Sequence, residues 1–320
     1  MSLGRALLRL VDLLPMPGLR TQRVLAGAVI ATQGTISVTG AIVRVTASGL
    51  GCPTWPQCFP GSFTPVAVAE VPHLHQAIEF GNRLVTFAVA ITAGLAVLAV
   101  VRARRRTEVQ VYAWAMPAST VAQALLGGVT VRTGLLWWTV ALHLLVSMAM
   151  VWLAVLLYVK VGEPDTDTAV VIARVPAPLR GLTALTGVIL AAILVAGTLV
   201  TAAGPHAGDR NIDRPVPRLQ VEITTLVHAH SSLTVAYLSL LVALGFALAA
   251  VRAARVLAVR LAALLALVAC QAVVGIVQFY AGIPPLLVAV HVALAVLCTA
   301  ATAGLWAAMR ERTEPAALQG

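Results

Sequence analysis

The sequence predicts an all-α integral membrane protein with eight transmembrane helices, arranged as two tandem, pseudo-symmetric four-helix bundles. Hydrophobic residues make up 60% of the chain and charged residues 11%, whereas soluble domains carry about 25% charged residues. The mean hydropathy of +0.93 agrees with this. The apolar residues fall in eight runs that are too long and too uniform for barrel strands, and part of the sequence repeats.

The eight apolar runs are expected to form the membrane-spanning helices, since about 20 mostly apolar residues suffice for one crossing. They cover residues 23–43, 75–101, 109–131, 135–159, 180–203, 221–250, 260–281 and 285–309. The polar, acidic segment 161–178 is interpreted as a cytoplasmic linker between an N-terminal bundle (residues 1–160) and a C-terminal bundle (residues 179–320).

Lysine and arginine are distributed unevenly between the two ends of these runs, which predicts the orientation. Sixteen of the 22 fall on the side of the termini and the linker, and six on the opposite side. Both termini are therefore expected to be cytoplasmic in a multi-pass protein of the plasma membrane, with outward-facing loops at 45–74, 132–134, 204–220 and 282–284. Arginines beside the anionic cytoplasmic leaflet explain the net charge of +10, so no nucleic-acid partner is predicted.

An internal repeat organises the chain. Residues 123–143 match residues 271–291 without gaps at an offset of 148, including a Gln-Ala pair, two glycines and the terminal histidine. The same offset pairs Asn82 with His230. Because each repeat holds four helices, an even number, the halves are expected to enter the membrane in the same direction and to place cofactors between facing helices.

Histidines inside the predicted helices are the candidate ligands of heme iron. Imidazole is costly in hydrocarbon, and neutral imidazole is a common axial ligand of heme. A lone histidine can merely bond a neighbouring helix, but His143 and His291 occupy equivalent positions in the repeats, which favours ligation. In the second half, His291 is expected to share a heme with His230, which the repeat offset favours, or with His228.

The first half departs from this symmetry. His143 faces Asn82, a poor iron ligand, at the position equivalent to His230. His75, seven residues before Asn82 on the same helix face, is the alternative ligand. The sequence therefore predicts a stable bis-histidine heme in the second half and an open or weaker iron position, suited to a substrate heme, in the first.

Glu79 is the only carboxylate of the apolar run 75–101, where a charge costs about 2.5–3.5 kcal/mol or more. Arg83 lies one turn away and suits an i,i+4 ion pair. Two interpretations stay open. Glu79 is a structural partner of Arg83, or it is a proton acceptor or stabiliser of cationic character at a heme edge near His75, Asn82 and His143.

Cys52 and Cys58 lie in a loop that is predicted to face the oxidising side of the membrane, with five residues between them. A disulfide is therefore expected. The disulfide either only stabilises the loop or also takes part in electron exchange.

Four motifs resemble the heme A synthase family, and the likeness extends over essentially all eight predicted helices. They are Ser-Gly-Leu-Gly-Cys-Pro-Thr-Trp-Pro-Gln-Cys at 48–58, Ile-Glu-Phe-Gly-Asn-Arg at 78–83, Leu-Gly-Gly-Val-Thr-Val-Arg-Thr-Gly-Leu at 126–135 and Gly-Pro-His-Ala-Gly-Asp at 204–209. The resemblance implies oxidation of a ring methyl of heme O to a formyl group by successive hydroxylations, with heme b bound in the second half for electron transfer. It also implies a membrane electron acceptor such as a quinone, and heme O synthase and cytochrome oxidase assembly factors as partners in the lipid bilayer.

By the same resemblance, the family's glutamate and histidines on its second, fourth, sixth and eighth helices correspond to Glu79, His143, His230 or His228, and His291. Many members have a Glu-x-x-His-Arg motif where this chain has Asn82, so the resemblance leaves open what holds the substrate iron on that side. The Glu-x-x-Asn-Arg form resembles actinobacterial-type members, and activity is still expected. The second half also lacks a cysteine pair in its corresponding loop.

Two other classes of function fit parts of the pattern. A di-heme cytochrome b that only carries electrons would use the histidines but would leave Glu79 and the broken symmetry unexplained. A heme transporter built from parallel repeats is expected to have helices broken at the midplane, whereas the clearest proline pair, Pro284-Pro285, lies at a helix boundary. The sequence therefore favours the enzyme.

Overall fold

A computed structural model describes residues 10–68, 71–210 and 215–315. Eight long helices account for most of these residues, and each coincides with one predicted run to within five residues at either end. They are α1 (Leu19–Val45), α2 (His73–Arg102), α3 (Thr107–Arg132), α4 (Trp137–Val161), α5 (Ala177–Ala203), α6 (Ile223–Ala250), α7 (Arg255–Tyr280) and α8 (Pro285–Ala308).

Seven of the eight long helices in the described residues, all but α3, are apolar and long enough to span a membrane. The chain is therefore a mostly helical, multi-pass membrane protein, and the prediction of spans is confirmed for these seven helices. Helix α3 is less apolar because polar residues such as Gln110, Ser119, Thr120 and Gln123 are spread along it.

The helices pack as two rings of neighbours. In the first ring α1 contacts α2, α2 contacts α3, α3 contacts α4, and α4 returns to α1. Helices α5 to α8 repeat this order of contacts. The rings meet where α1 and α4 pack against α8 and where α4 packs against α5, so the first and last helices of each half lie at the centre of the molecule.

Each ring has its own buried apolar cluster. Met116 and Leu157 belong to the cluster of the first ring, and Leu244 and Leu264 to that of the second. A smaller cluster around Val296 joins α4 to α8. Helix faces directed away from these clusters remain apolar, as expected where lipid is the solvent.

One end of the helix assembly carries two segments, residues 46–68 with 71–72 and residues 204–210 with 215–222, and is called the loop end below. The two segments meet directly, since the backbone N–H of Gly49 donates to the carbonyl of Gly208 at 2.8 Å. The ring nitrogen Nε2 of His206 lies 2.8 Å from the carbonyl of Ile283, which links the second segment to the turn before α8. His206 thus holds loops together, and the loop end forms one connected surface.

The opposite end contains a pair of strands that the all-α prediction does not include. Strand β1 (Val170–Ala173) lies in the linker and pairs antiparallel with β2 (Arg310–Thr313), which follows α8. The linker is also held by ion pairs to the turn before α3, where Asp165 contacts Arg105 and lies 2.6 Å from Arg106. Strands of four residues, one of them mostly charged, carry no alternating apolar pattern from which they could be predicted.

Most of the lysines and arginines lie at this strand-bearing end, as the distribution along the sequence indicates. Arg5, Arg9 and Arg214, which contribute to the predicted orientation, lie outside the described residues.

Candidate functional site

The disulfide loop covers α2 at the loop end. Cys52 and Cys58 are bonded, as predicted, and both are fully buried. Arg83 donates hydrogen bonds from its guanidinium to the carbonyls of Cys52 and Thr54, each at 3.0 Å, and to that of Gln57 at 3.2 Å. One arginine of α2 therefore holds the backbone of the loop in place.

A cavity of about 510 Å³ lies beneath this loop. Helices α1 to α4 form most of its wall, and α5 and α8 close it from the second half. The volume falls within the range of roughly 300–1,000 Å³ that is typical of ligand and cofactor sites. Glu79, Asn82, Arg83 and His143 all line the cavity, so the structure brings together four of the predicted residues of the first half.

Glu79 and Arg83 form the ion pair that their spacing predicts. The distance from Arg83 Nε to Glu79 Oε1 is 3.3 Å, and Glu79 is 7% exposed. Because Arg83 also binds the loop carbonyls, the carboxylate of Glu79 is connected to the roof of the cavity through one guanidinium.

Asn82 contributes a hydrogen bond between helices. Its Oδ1 accepts a hydrogen bond of 2.7 Å from the hydroxyl of Thr39, which attaches α2 to α1. This bond engages the amide oxygen, the better metal donor of the asparagine side chain. The position equivalent to His230 is thus occupied by a residue with a packing role.

His143 lies on α4 and is held at its backbone by Gln123 of α3. The amide of Gln123 donates to the carbonyl of His143 at 3.1 Å and to the hydroxyl of Ser147 at 2.5 Å. Among the described residues, the buried Nδ1 of His143 has no hydrogen-bond partner. Gly127 faces the imidazole, since a Cβ at Gly127 would lie 3.5 Å from Cε1 of His143.

His75 is separated from this group. It does not line the cavity, and its Nδ1 lies 2.9 Å from the hydroxyl of Ser48. Its backbone carbonyl touches the disulfide loop so closely that a Cβ at Gly51 would lie 2.2 Å from it. Only glycine fits at this contact, which places His75 beneath the loop.

In the second half, His230 of α6 and His291 of α8 face each other with ring centroids 6.3 Å apart and ring planes inclined at 53°. Two imidazoles that face each other across such a gap could hold one heme iron between them. Nδ1 of His230 lies 3.1 Å from the carbonyl of Ile193, which leaves Nε2 for a ligand. His228, in contrast, is exposed.

Two glycines leave room for these imidazoles. A Cβ at Gly197 of α5 would lie 3.2 Å from Cε1 of His230, and one at Gly275 of α7 would lie 3.1 Å from Cε1 of His291. Gly275 is the repeat equivalent of Gly127, so each half places a glycine of its third helix against a histidine of its fourth. The residues present therefore fit a heme bound between His230 and His291.

Three residues near the site of the first half were not predicted from the sequence to have a role there. Ser48 bonds His75, Gln123 holds the backbone of His143, and Arg44 lines the cavity from the last turn of α1. The repeat does signal Gln123, because Gln271 occupies the same place in the second half. Arg44 contributes to the charge count of the loop end, and the sequence does not reveal the direction of its side chain.

Comparisons with known proteins identify a family and two curated relatives. The model of the cytochrome oxidase assembly protein (COX15-CtaA) family matches residues 23–303. A protein named heme A synthase from Geobacillus kaustophilus is 35% identical over 98 residues, and one of the same name from Geobacillus thermodenitrificans is 33% identical over 98 residues. Each match covers 30% of this chain and 29% of the relative, so the chain matches less than a third of the length of these curated relatives.

Proposed function

Because the chain belongs to the cytochrome oxidase assembly protein (COX15-CtaA) family, we propose that it is a heme A synthase, which oxidises a methyl group of heme O to a formyl group by successive hydroxylations. The observation that carries this proposal is the cavity of about 510 Å³ in which a histidine, a buried carboxylate and two arginines converge. A pure electron carrier has no need of a carboxylate beside a ligand cavity.

In the first half, His143 is the proposed ligand of the substrate iron. Glu79 is the proposed catalytic residue, either as a proton acceptor or as a stabiliser of positive charge that develops at the ring methyl. Arg83 orients its carboxylate through the contact at 3.3 Å. The hydrogen bond between Asn82 and Thr39 supports an iron position that is open or weakly ligated on the α2 side, which suits a substrate that must bind and leave.

In the second half, His230 and His291 are the residues that would hold a resident heme b. Their centroid distance of 6.3 Å supports this assignment, and the exposure of His228 favours His230 as the ligand from α6. Heme b supplies one-electron transfer when it is bound. The chain's own contribution is to hold the two imidazoles in position, through the carbonyl of Ile193 and the small residue Gly275.

We further propose that all eight helices cross the membrane as two bundles, residues 1–160 and 179–320, joined by the linker 161–178. Helix α3 has 26 residues, about 39 Å, which exceeds the hydrocarbon thickness of about 30 Å. The excess of arginine at the strand-bearing end supports cytoplasmic termini in the plasma membrane. A quinone or another membrane electron acceptor, heme O synthase and cytochrome oxidase assembly factors are the proposed partners.

The test is to express the protein in cells that contain a heme O source and to separate the extracted hemes by chromatography. Heme A that is absent from the empty-vector control is the expected result. The variant Glu79→Gln, which keeps the shape of the side chain, is the matched control for catalysis. Only heme B and unchanged heme O, extracted from well-folded and heme-loaded protein, would refute the synthase and favour an electron carrier.

A further inference from the structure

Arg44 is a cation of α1 that lines the candidate substrate cavity. Its terminal nitrogen donates to the carbonyl of Thr201 in α5 at 3.1 Å, across the junction between the two halves. Its Nε is buried and has no hydrogen-bond partner among the described residues. The guanidinium therefore has a free donor within the wall of the cavity.

A second arginine donates to the same carbonyl oxygen. Arg218, in the segment before α6, donates to the carbonyl of Thr201 at 3.0 Å, and it also contacts the carbonyls of Gly204 and His206. Among the described residues, neither Arg44 nor Arg218 forms an ion pair. Two guanidinium groups thus converge on one carbonyl oxygen, and within the described part of the chain no carboxylate lies at ion-pair distance from either.

Such an arrangement favours an anionic ligand. A buried charge is costly unless it is paired, and the planar guanidinium matches a carboxylate with two parallel hydrogen bonds. The loop end is where a carboxylate of a membrane-bound ligand is best accommodated, because charged groups avoid the hydrocarbon centre. A heme carries two propionate carboxylates on one edge of its ring.

We propose that Arg44, braced by Arg218 through Thr201, binds a propionate carboxylate of the substrate heme and so sets the orientation of the ring in the cavity. This rests on the proposed function, since it requires a heme on the side of His143. The reacting methyl is then selected by position, because fixing the propionate edge at Arg44 limits which ring methyl reaches Glu79.

A purely structural role for Arg44 makes a different prediction. If the side chain only attaches α1 to the carbonyl of Thr201, its removal weakens packing and lowers the affinity for any heme equally. If it binds a propionate, its removal lowers the affinity only for hemes with free carboxylates.

Purified protein that retains its second-half heme is titrated in parallel with ferric heme B and with ferric heme B dimethyl ester. Binding of the added heme is followed by difference absorbance. The variant His143→Ala identifies binding in the first half. The matched control is Arg210→Met, which removes an exposed arginine from the same loop end. Heme content of the second half and the elution volume in gel filtration check that each variant is folded.

Wild-type protein is expected to bind the free acid about 10- to 100-fold more tightly than the ester, as the loss of one charge-assisted carboxylate contact predicts. Arg44→Met should bind both forms with the affinity that wild type has for the ester, Arg44→Lys should keep part of the preference, and Arg210→Met should keep all of it. Equal wild-type affinities, or a preference that survives in Arg44→Met, would overturn the inference and leave the synthase proposal standing. Failure of wild type to bind either form would instead overturn the proposed substrate site.

Discussion

Replacing Arg83 by methionine should release the disulfide loop from the cavity that it covers. The guanidinium donates to the loop carbonyls of Cys52, Thr54 and Gln57 at 3.0 to 3.2 Å and to that of Pro56 at 3.5 Å. Methionine fills a similar volume but donates no hydrogen bond. The change therefore removes the attachment of the loop while it keeps most of the packing on α2.

The size of the effect follows from these contacts. A hydrogen bond to a charged group contributes about 1.5–3 kcal/mol, and water at the loop end replaces part of what is lost, so we expect the closed loop to lose about 2–4 kcal/mol. With a factor of ten for every 1.4 kcal/mol, the open fraction should rise about 30- to 700-fold. Cys52 and Cys58 are both fully buried, and reduction of their bond therefore requires the open state.

The assay measures how fast dithiothreitol reduces the disulfide in detergent-solubilised protein, with the new thiols counted by alkylation and mass spectrometry. Arg132→Met is a graded control, because Arg132 reaches the loop only at Trp55, through one hydrogen bond of 3.1 Å to the carbonyl and a cation–π contact with the ring. Together these contribute about 1.4 kcal/mol at an exposed site, so the reduction rate should rise about tenfold.

The variant Glu79→Gln separates the ion pair from the loop contacts. It removes the negative charge beside Arg83 but leaves the guanidinium free to bind the carbonyls, so the loop should stay closed. A reduction rate in Arg83→Met within twofold of wild type would refute the attachment. Equal acceleration in Arg83→Met and Glu79→Gln would show that the ion pair, and not the carbonyl contacts, holds the loop.

Three further predictions address the two heme sites and the strand-bearing end. His291→Ala should abolish the stable b-type absorbance of the purified protein while the exposed His228→Ala keeps it, and the reverse order would refute the assignment on α6 and α8. Glu79→Gln should keep both heme sites but lower heme A production by at least about 100-fold, the usual effect of removing a general base, and normal production would reduce Glu79 to a structural partner. Burial raises the pKa of Asp165, but hydrogen bonds from Arg106 and Arg105 outweigh this effect and hold the pKa below its ordinary value of 3.8. Because the pKa of Asp165 is lower in the folded state, its charge stabilises the fold fully above pH 3.8, and this stabilisation is lost as the pH falls through the folded-state pKa. The melting temperature of wild type should therefore exceed that of Asp165→Asn at neutral pH, and the two should converge in acid. A difference that persists unchanged into acid would show that the charge of Asp165 is irrelevant.

The helices could be predicted from the sequence because lipid requires long apolar runs and satisfied backbone groups, and both requirements are local. The largest boundary difference is at the start of α7, which begins at Arg255 and not at residue 260. The predicted run starts at Arg260, but Val256, Leu257 and Val259 before it continue the helix back to Arg255, since the backbone can hydrogen-bond within the helix whatever solvent surrounds it.

The candidate site could be predicted only in part, because spacing indicates which residues share a face but not which face is buried. Residues two apart on a helix point about 200° apart, so the sequence shows that only one of His228 and His230 faces the bundle. In the structure His230 lies against α5 and α8, whereas His228 is exposed, and this placement depends on long-range packing. It likewise separates His75 from His143 by seating the disulfide loop on the start of α2, a long-range contact that no local pattern reports.

The pairing of β1 with β2 has a consequence for how the protein is made. Synthesis proceeds from the N terminus, so residues 170–173 leave the ribosome long before residues 310–313, and β1 has to wait for its partner until α5 to α8 have been translated. The pairing can form only when α8 has delivered β2 to the same side of the bilayer. A chain that is truncated after the linker, or whose second half is inserted in the wrong direction, leaves β1 without its partner. The two-stranded sheet therefore forms only when the second half is complete and has the correct membrane topology.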